Sequence, residues 1–500
     1  MSTLVHTTGA DEIAPRVRPL NASAWKALSL PDGTQLMVLA FAFCGFVAAA
    51  FAPQLLWDGD TFWHVATGQW MWRHHQVLGF DPFSFSSPGI RWVNLEWLSD
   101  VVMGPVYGAG GWSAIDLLFA SALGLLTWLL ATELSRKLPP FSCAAALFLA
   151  LSCTTQSWLA RPHVLALPIL AFWTIRMLRA READRAPSLW LLPLMTAWAN
   201  LHGSYLFGLA LIGPFALEAL CDAAPSERLR VFRDWAVFGM AAGAAALLTP
   251  HGIDGPLYTL KLITMKSLPD IVEWQSSNFA HLGPLEVTLL TTLFILLYRG
   301  VKVPIIRLIT LLGLLHLTLN ETRHQMIMAV TGVLLLAEPM GRALASSAPA
   351  LRLPQLSRMV RASLLGVIVA AFAGVALART LIPARLTEVP TAPLAAFAHV
   401  PEGLRRQPVL NEYGAGGYLI LNGVKPFIDG RADMYGDDFV QAYVKAKSNP
   451  VRLKALIARY GFRWTLLAAD NPAVAILDST PGWKRIYGDK VAVVHVRTGS

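Results

Sequence analysis

About eleven long apolar runs occupy the first three quarters of this chain, and they constrain its fold more than any other feature. They lie near 34–56, 112–134, 140–158, 163–180, 187–201, 204–222, 232–249, 283–298, 303–319, 324–340 and 360–381. In lipid a backbone N–H or C=O finds no water, so each run must bond internally as a helix. With 55% apolar and 15% charged residues, an ordinary soluble enzyme is excluded. The expected class is a polytopic α-helical membrane protein of about eleven transmembrane helices. Cys44, Cys143, Cys153 and Cys221 all fall inside apolar runs, so neither a disulfide framework nor a CxxC metal site is expected. The N-terminal segment 1–33 is polar and leads into a full-length apolar run, which argues against a cleaved signal peptide.

Every second loop is basic. Arg16, Arg18 and Lys26 precede the first run, and Arg136 and Lys137 follow the second. Arg176, Arg179, Arg181 and Arg185 follow the fourth, and Arg228, Arg230 and Arg233 the sixth. Arg299, Lys302 and Arg307 follow the eighth, and Arg342, Arg352, Arg358 and Arg361 the tenth. The positive-inside rule makes these loops cytoplasmic, with the N-terminus inside and the C-terminus outside. The net charge of +9 is mostly this topology signal. It lacks the concentrated basic face of a nucleic-acid binder. Of the twelve histidines, His6 lies on the inner side and His316 within a run; the other ten fall on the outer side. Chemistry is therefore expected on the outer face.

The first outer loop, 57–111, opens on Trp57-Asp58-Gly59-Asp60-Thr61-Phe62-Trp63-His64. Two carboxylates at i and i+2 followed by a histidine can act as a base or hold a divalent cation. Thr61 to His75 reads as an amphipathic helix lying in the interface, and Trp92 to Tyr107 as a second amphipathic stretch with Glu96 and Asp100 on one face. Phe83-Ser84-Phe85-Ser86 alternates like a short strand. The remainder of the loop set carries Arg161-Pro162-His163, Asn200-Leu201-His202-Gly203, Pro250-His251-Gly252, Glu273-Trp274 and Asn320-Glu321-Thr322-Arg323-His324.

The tail, 382–500, changes composition and reads as a small α/β outer domain. Strands are expected at 418–421, 425–428, 464–468 and 491–496, and helices at 438–447 and 450–460. Glu412 to Gly417 is Gly-rich without the spacing of a nucleotide fingerprint. The stretch Asp429-Gly430-Arg431-Ala432-Asp433-Met434-Tyr435-Gly436 is either a functional loop or a structural turn built on an Asp–Arg pair.

Asp58 and Asp60 are the candidate catalytic pair, with His64 able to join them as metal ligands if a cation is used; the bland alternative is a helix cap at the boundary. Arg161 and Arg323 have the fork geometry that suits phosphate, against the alternative of snorkelling to lipid head groups. His163, His202, His251 and His324 are supporting candidates. Glu96 and Glu273 each precede a tryptophan, an arrangement that holds a sugar ring or simply belongs to an interfacial aromatic belt.

The acidic pair in the first outer loop, the interfacial helices after it and the C-terminal outer domain together resemble the GT-C superfamily. These are membrane glycosyltransferases that use polyprenyl-phosphate-linked sugars; they include the protein mannosyltransferases, the oligosaccharyltransferase catalytic subunits and the bacterial enzymes that modify lipid A or arabinan. Asp58-Gly59-Asp60 looks like the family's modified DxD, and the loop (WDGDTFWHVATG, then NLEWLSD) and tail (DGRADMYG) look like a largely uncharacterised bacterial branch. The tail has no WWDYG-like motif, which argues against transfer to an Asn sequon. The resemblance implies a multi-pass protein of the cytoplasmic (inner) membrane with a periplasmic tail. It also implies a polyprenyl-phosphate sugar donor, an envelope lipid, glycan or protein acceptor, and transfer with inversion. Asp58 or Asp60 would be the base, Arg323 with Arg161 would hold the leaving phosphate, and a divalent cation (Mg or Mn) is optional. The competing reading is a non-catalytic scaffold or transporter for envelope polymer assembly.

Overall fold

The computed structural model describes residues 30–345 and 355–498. His6, Arg16, Arg18, Lys26 and Arg352 lie outside the described residues.

Helices α1 (Gly33–Ala50), α2 (Asp60–His74), α3 (Trp97–Leu134), α4 (Pro140–Thr154), α5 (Pro162–Glu182), α6 (Leu192–Leu201) and α7 (Tyr205–Asp222) build the first part of the bundle. Then follow α8 (Arg228–Ala246), α9 (Asp254–Leu262), α10 (Pro284–Tyr298), α11 (Ile305–Asn320), α12 (Gln325–Ala345) and α13 (Arg358–Leu381). All eleven apolar runs fall on helices. Among the described residues, six helical stretches are long and apolar enough to cross a membrane: α1, α3, α5, α7, the stretch Thr322–Leu344 and α13. Leu189–Leu201, α10 and α11 are shorter apolar helices, so a polytopic membrane protein stands without the count of eleven spans. The bundle core is apolar, with Leu123, Leu126, Leu130, Trp173, Trp198 and Phe238 buried. Charges inside it are paired with one another: Arg307 with Glu218 at 2.8 Å, Arg179 with Glu133 at 2.8 Å, and Arg379 with Asp116.

Two local breaks shape the site end. Gly110 and Gly111 split α3, and Gly111 takes φ 58°, a left-handed value costly for any residue with a Cβ. The membrane half of α3 therefore begins near Trp112, and the half before it folds over α2. Proline at the first turns of α4 and α5 fits helix starts, where its missing N–H has no partner to lose.

Helix α2 is enclosed by protein over its first half. Thr61 through Gly68 are buried, because α3 covers one side and the tail the other. Phe83–Ser86 is not a strand: Asp81 accepts the Phe83 N–H at 3.0 Å and the Ser84 N–H at 3.1 Å, curling the chain into a turn.

The tail contains α14 (Leu394–Ala398), α15 (Glu402–Arg405), α16 (Gly416–Leu421), α17 (Ala432–Tyr435), α18 (Asp437–Lys447), α19 (Pro450–Tyr460) and α20 (Pro472–Asp478). Its sheet has strands β1 (Val409–Asn411), β2 (Trp464–Ala468), β3 (Trp483–Gly488) and β4 (Ala492–Arg497), in the order β1-β2-β4-β3. The β1–β2 pair is parallel and the others antiparallel, with Leu466 opposite Val494. The strand expected at 418–421 is instead α16, whose Tyr418, Leu419 and Ile420 are buried. The strand expected at 425–428 is absent because the Asn411 side chain takes the place of a neighbouring strand. Its Oδ1 accepts the Phe427 N–H at 2.8 Å and its Nδ2 donates to the Ile428 carbonyl at 2.7 Å. The tail shares a hydrophobic core with the first loop: Trp63, Ala66 and Met71 of α2 pack with Leu410, Ile420 and Phe427. Burying a large apolar side chain contributes about 1.5–3 kcal/mol, so this shared core holds the tail firmly on α2.

Candidate active site

The acidic pair sits at the start of α2. The Asp58 Oδ1 accepts the backbone N–H of Asp60 at 2.7 Å, and the Trp63 indole donates to Asp60 Oδ1 at 2.9 Å. A helix start favours a carboxylate through its unpaired N–H groups. Opposite lies Arg161, the residue before α5. Its guanidinium reaches Asp60 Oδ2 at 3.0 Å, Asp58 Oδ2 at 3.6 Å and Glu273 Oε2 at 2.8 Å. Glu273 turns its other oxygen to Arg323, at 3.6 Å, and Arg323 stacks on the Trp274 ring at 3.9 Å. Two guanidiniums and three carboxylates from four separate parts of the chain thus form one array.

The array lines a cavity of about 1210 Å³. All the sequence-derived site residues reach that cavity except His64 and His251. Leu167, Leu170, Leu206, Phe207, Met326 and Ile327 contribute apolar lining. The tail contributes Tyr413, Gly430 and Asp433 to the lining.

His64 stands behind the cavity wall. Its Nδ1 is 2.6 Å from Asp100 Oδ1, and Asn94 donates to the other Asp100 oxygen at 2.7 Å. Its Nε2 faces Glu96 at 3.5 Å, and Glu96 also meets His202 Nε2 at 3.3 Å. Glu96 and Asp100 do share a face, and that face brackets His64. His163 is tied to the Ser157 carbonyl at 2.8 Å. His251 bonds the Asn94 carbonyl at 3.1 Å and supports the first loop. His324 packs edge-on against Phe207.

Burial sets the charge states. It raises the carboxyls of Asp58 and Asp60 against the opposing pull of Arg161; Asp60 is pushed up to about 6. Glu96 is raised to about 7 by burial, with His64 and Arg161 opposing. Burial also disfavours ionised Glu273, but Arg161 and Arg323 outweigh it and hold its carboxyl at about 2. Burial lowers His64 to about 4, so its imidazole is neutral at physiological pH.

Asp58, Asp60 and His64, the metal ligands expected from the sequence, are each held by another protein group. Arg161 stands against both carboxylates, and His64 is turned to Asp100. Among the described residues, no group of three or more His, Cys, Asp and Glu is arranged to hold a metal ion.

The tail's place against the acidic pair had only a weak sequence signal, the Gly-rich run at 412–417. A Cβ built on Gly417 would strike the Gly59 carbonyl, and one on Gly59 the Gly414 carbonyl. A Cβ on Gly430 would strike Asp60 Oδ1. Only hydrogen in place of a side chain permits this approach. The neighbouring Arg431 is 1% exposed, so its charge must be paired inside the protein. It pairs with Asp429 at 2.6 Å and with Asp81 of the first loop at 2.9 Å. The DGRADMYG stretch is both a structural clamp and, at Gly430, a wall of the site.

No protein-family model matches the chain, and no curated protein matches it. Solved structures do. The oligosaccharyltransferase of Archaeoglobus fulgidus in the apo form aligns with TM-score 0.55 at 10% identity, over 93% of this chain and 74% of that one. The same organism's oligosaccharyltransferase AglB, in complex with an inhibitory peptide and a dolichol-phosphate, aligns with TM-score 0.51 at 10% identity, over 87% and 69%. ArnT from Cupriavidus metallidurans bound to undecaprenyl phosphate aligns with TM-score 0.50 at 13% identity, over 96% and 99%. Both neighbours are GT-C membrane enzymes, and at these identities the likeness is one of fold.

Proposed function

We propose that this chain is a membrane glycosyltransferase that moves a sugar from a polyprenyl-phosphate donor to a hydroxyl of an envelope lipid, glycan or protein. The observation that carries the reading is the array of Asp58, Asp60, Arg161, Glu273 and Arg323 in one cavity that is also lined by apolar side chains. A donor with an isoprenoid chain and a charged phosphate-sugar head needs an apolar and a charged lining in one cavity. The solved neighbours carry dolichol-phosphate and undecaprenyl phosphate in complexes of the same fold, which supports the donor class.

The chemistry follows from the charges. Asp60 accepts the proton of the acceptor hydroxyl, whose oxygen attacks the anomeric carbon. The bond from that carbon to the phosphate oxygen breaks, and the electron pair leaves with the phosphate. Arg323 and Arg161 meet the growing negative charge with guanidiniums already in place, so little reorganisation opposes the step. A single displacement inverts the anomeric centre. Asp58 fixes the Asp60 backbone and adds negative charge that favours the oxocarbenium-like carbon. A divalent cation would have to compete with Arg161 for the acidic pair, and carboxylates and arginines carry each step without one. We place the protein in the inner membrane with the N-terminus cytoplasmic and the tail periplasmic, on the positive-inside pattern.

The test is transfer by purified protein in liposomes, supplied with lipid-linked sugars extracted from its host and with membranes of a deletion strain. Wild type should label an acceptor, and Asp60→Asn should not. Equal labelling by both proteins would refute the assignment.

A further inference from the structure

Phosphate entering this cavity meets arginines that are already occupied. Three carboxylates surround two guanidiniums: Asp58, Asp60 and Glu273 at Arg161, and Glu273 again at Arg323. The carboxylates are not held alike. Asp60 is fixed by the Trp63 indole at 2.9 Å and walled in by Gly430; Asp58 caps the Asp60 backbone at 2.7 Å. Glu273 sits in a single helical turn, Val272–Trp274, between α9 and α10. Among the described residues its carboxylate takes a hydrogen bond only from Arg161. The connector is strapped on both sides of it. The Asp437 carboxylate accepts the Ser267 N–H at 2.9 Å, and the Gln275 carbonyl accepts the Thr322 N–H at 3.0 Å. Of the three acids, Glu273 is the one whose side chain can move away without breaking anything except its ties to the arginines.

Arg323 completes the picture. It is stacked on Trp274, yet its guanidinium makes no hydrogen bond to any described residue, and the Glu273 oxygen at 3.6 Å is an ion-pair contact only. Its N–H donors remain available to a ligand.

We infer that Glu273 is the specificity-determining residue of the donor-phosphate subsite: an internal anion shared by Arg161 and Arg323, displaced only by a ligand whose oxygens engage both arginines together. This inference rests on the donor reading proposed above. A single carboxylate entering the site would exchange one such group for another and gain nothing. A phosphate ester presents several oxygens around one centre and forks both guanidiniums at once. Because the two arginines hold Glu273 at about 2, it stays ionised and keeps competing at every physiological pH.

The experiment uses the full-length protein in detergent and two probes with the same isoprenoid chain, farnesyl monophosphate and farnesoic acid. Wild type should bind the phosphate and reject the carboxylate. Glu273→Gln, with Glu273→Ala as the second variant, should bind the phosphate about tenfold tighter, because no internal anion must leave first, and should also admit the carboxylate. Arg323→Ala tests the underlying reading and should weaken the phosphate. If Arg323→Ala weakens phosphate binding while both Glu273 variants leave it unchanged or weaker, the competitor role is overturned and the donor site stands. If Arg323→Ala binds farnesyl monophosphate as wild type does, the donor site itself is refuted.

Discussion

Gly430→Ala puts a methyl group against the Asp60 carboxylate and tests whether the tail belongs to the active site. The added Cβ would lie 2.7 Å from Asp60 Cγ and 3.2 Å from Oδ2, and closer still to Oδ1. One of two things must yield. If the carboxylate rotates, it leaves the Trp63 indole at 2.9 Å and Arg161 at 3.0 Å, and hydrogen bonds to charged groups contribute about 1.5–3 kcal/mol each. If the tail shifts instead, overpacking costs about 1–3 kcal/mol, spread over the core shared by Trp63, Leu410 and Phe427. A base displaced by about 1 Å loses on the order of 100-fold in rate. The expected outcome is a kcat lowered about 100-fold, with farnesyl monophosphate binding retained and only a modest loss of thermal stability. Transfer to host membranes supplies the rate, and a melting curve supplies the fold. Gly403→Ala, in the tail with nothing within 4 Å of its new Cβ, is the control and should behave as wild type. A Gly430→Ala protein that transfers sugar within about twofold of wild type would refute the reasoning, because a catalytic Asp60 could not tolerate the clash.

The remaining predictions concern charge. Asp60→Asn should abolish transfer while leaving donor binding intact, and Asp58→Asn should lower the rate by loosening the Asp60 backbone; turnover assays beside farnesyl monophosphate titrations check both. Burial raises Asp60 to about 6, so its basic form is lost as pH falls through that value. Activity should therefore show an acid limb near pH 6, present in Glu96→Gln as well, since Glu96 titrates at about 7 and is not the base. Arg431→Ala leaves Asp429 and Asp81 buried without their cation and should cost about 3–5 kcal/mol. Its readout is a lowered melting temperature and early protease cleavage of the tail.

Much of the fold was legible because lipid leaves the backbone few choices. Each apolar run became a helix. Length was harder to read: α4 has 15 residues, and α8 opens on Arg228, Arg230, Arg233 and Asp234, so the run boundaries overstate what can cross a membrane alone. The site residues were legible as types. Arg161, Glu273 and Arg323 each stand over 100 residues from the acidic pair, yet all meet it in one cavity. The helix at 418–421 and the burial of α2 share one cause. The helix from Asp60 has aromatic residues that suit an interface, and 418–421 has apolar residues that suit a strand. Each was instead buried against the other, a tertiary contact that local pattern does not record. Asn411 likewise supplies hydrogen bonds in place of a strand, which nothing in the 425–428 segment announces. The glycines at 414, 417 and 430 reveal their role only once Gly59 and Asp60 are seen beside them.

Sugar transfer in this cavity, with Asp60 as the base, is the proposed activity. It is tested most directly by mass spectrometry of envelope glycolipids and glycans from a deletion strain, alone and rescued with wild type or with the Asp58→Asn/Asp60→Asn double variant. A sugar should disappear on deletion and return only with wild type. Unchanged glycans on deletion, or full rescue by the double variant, would contradict it.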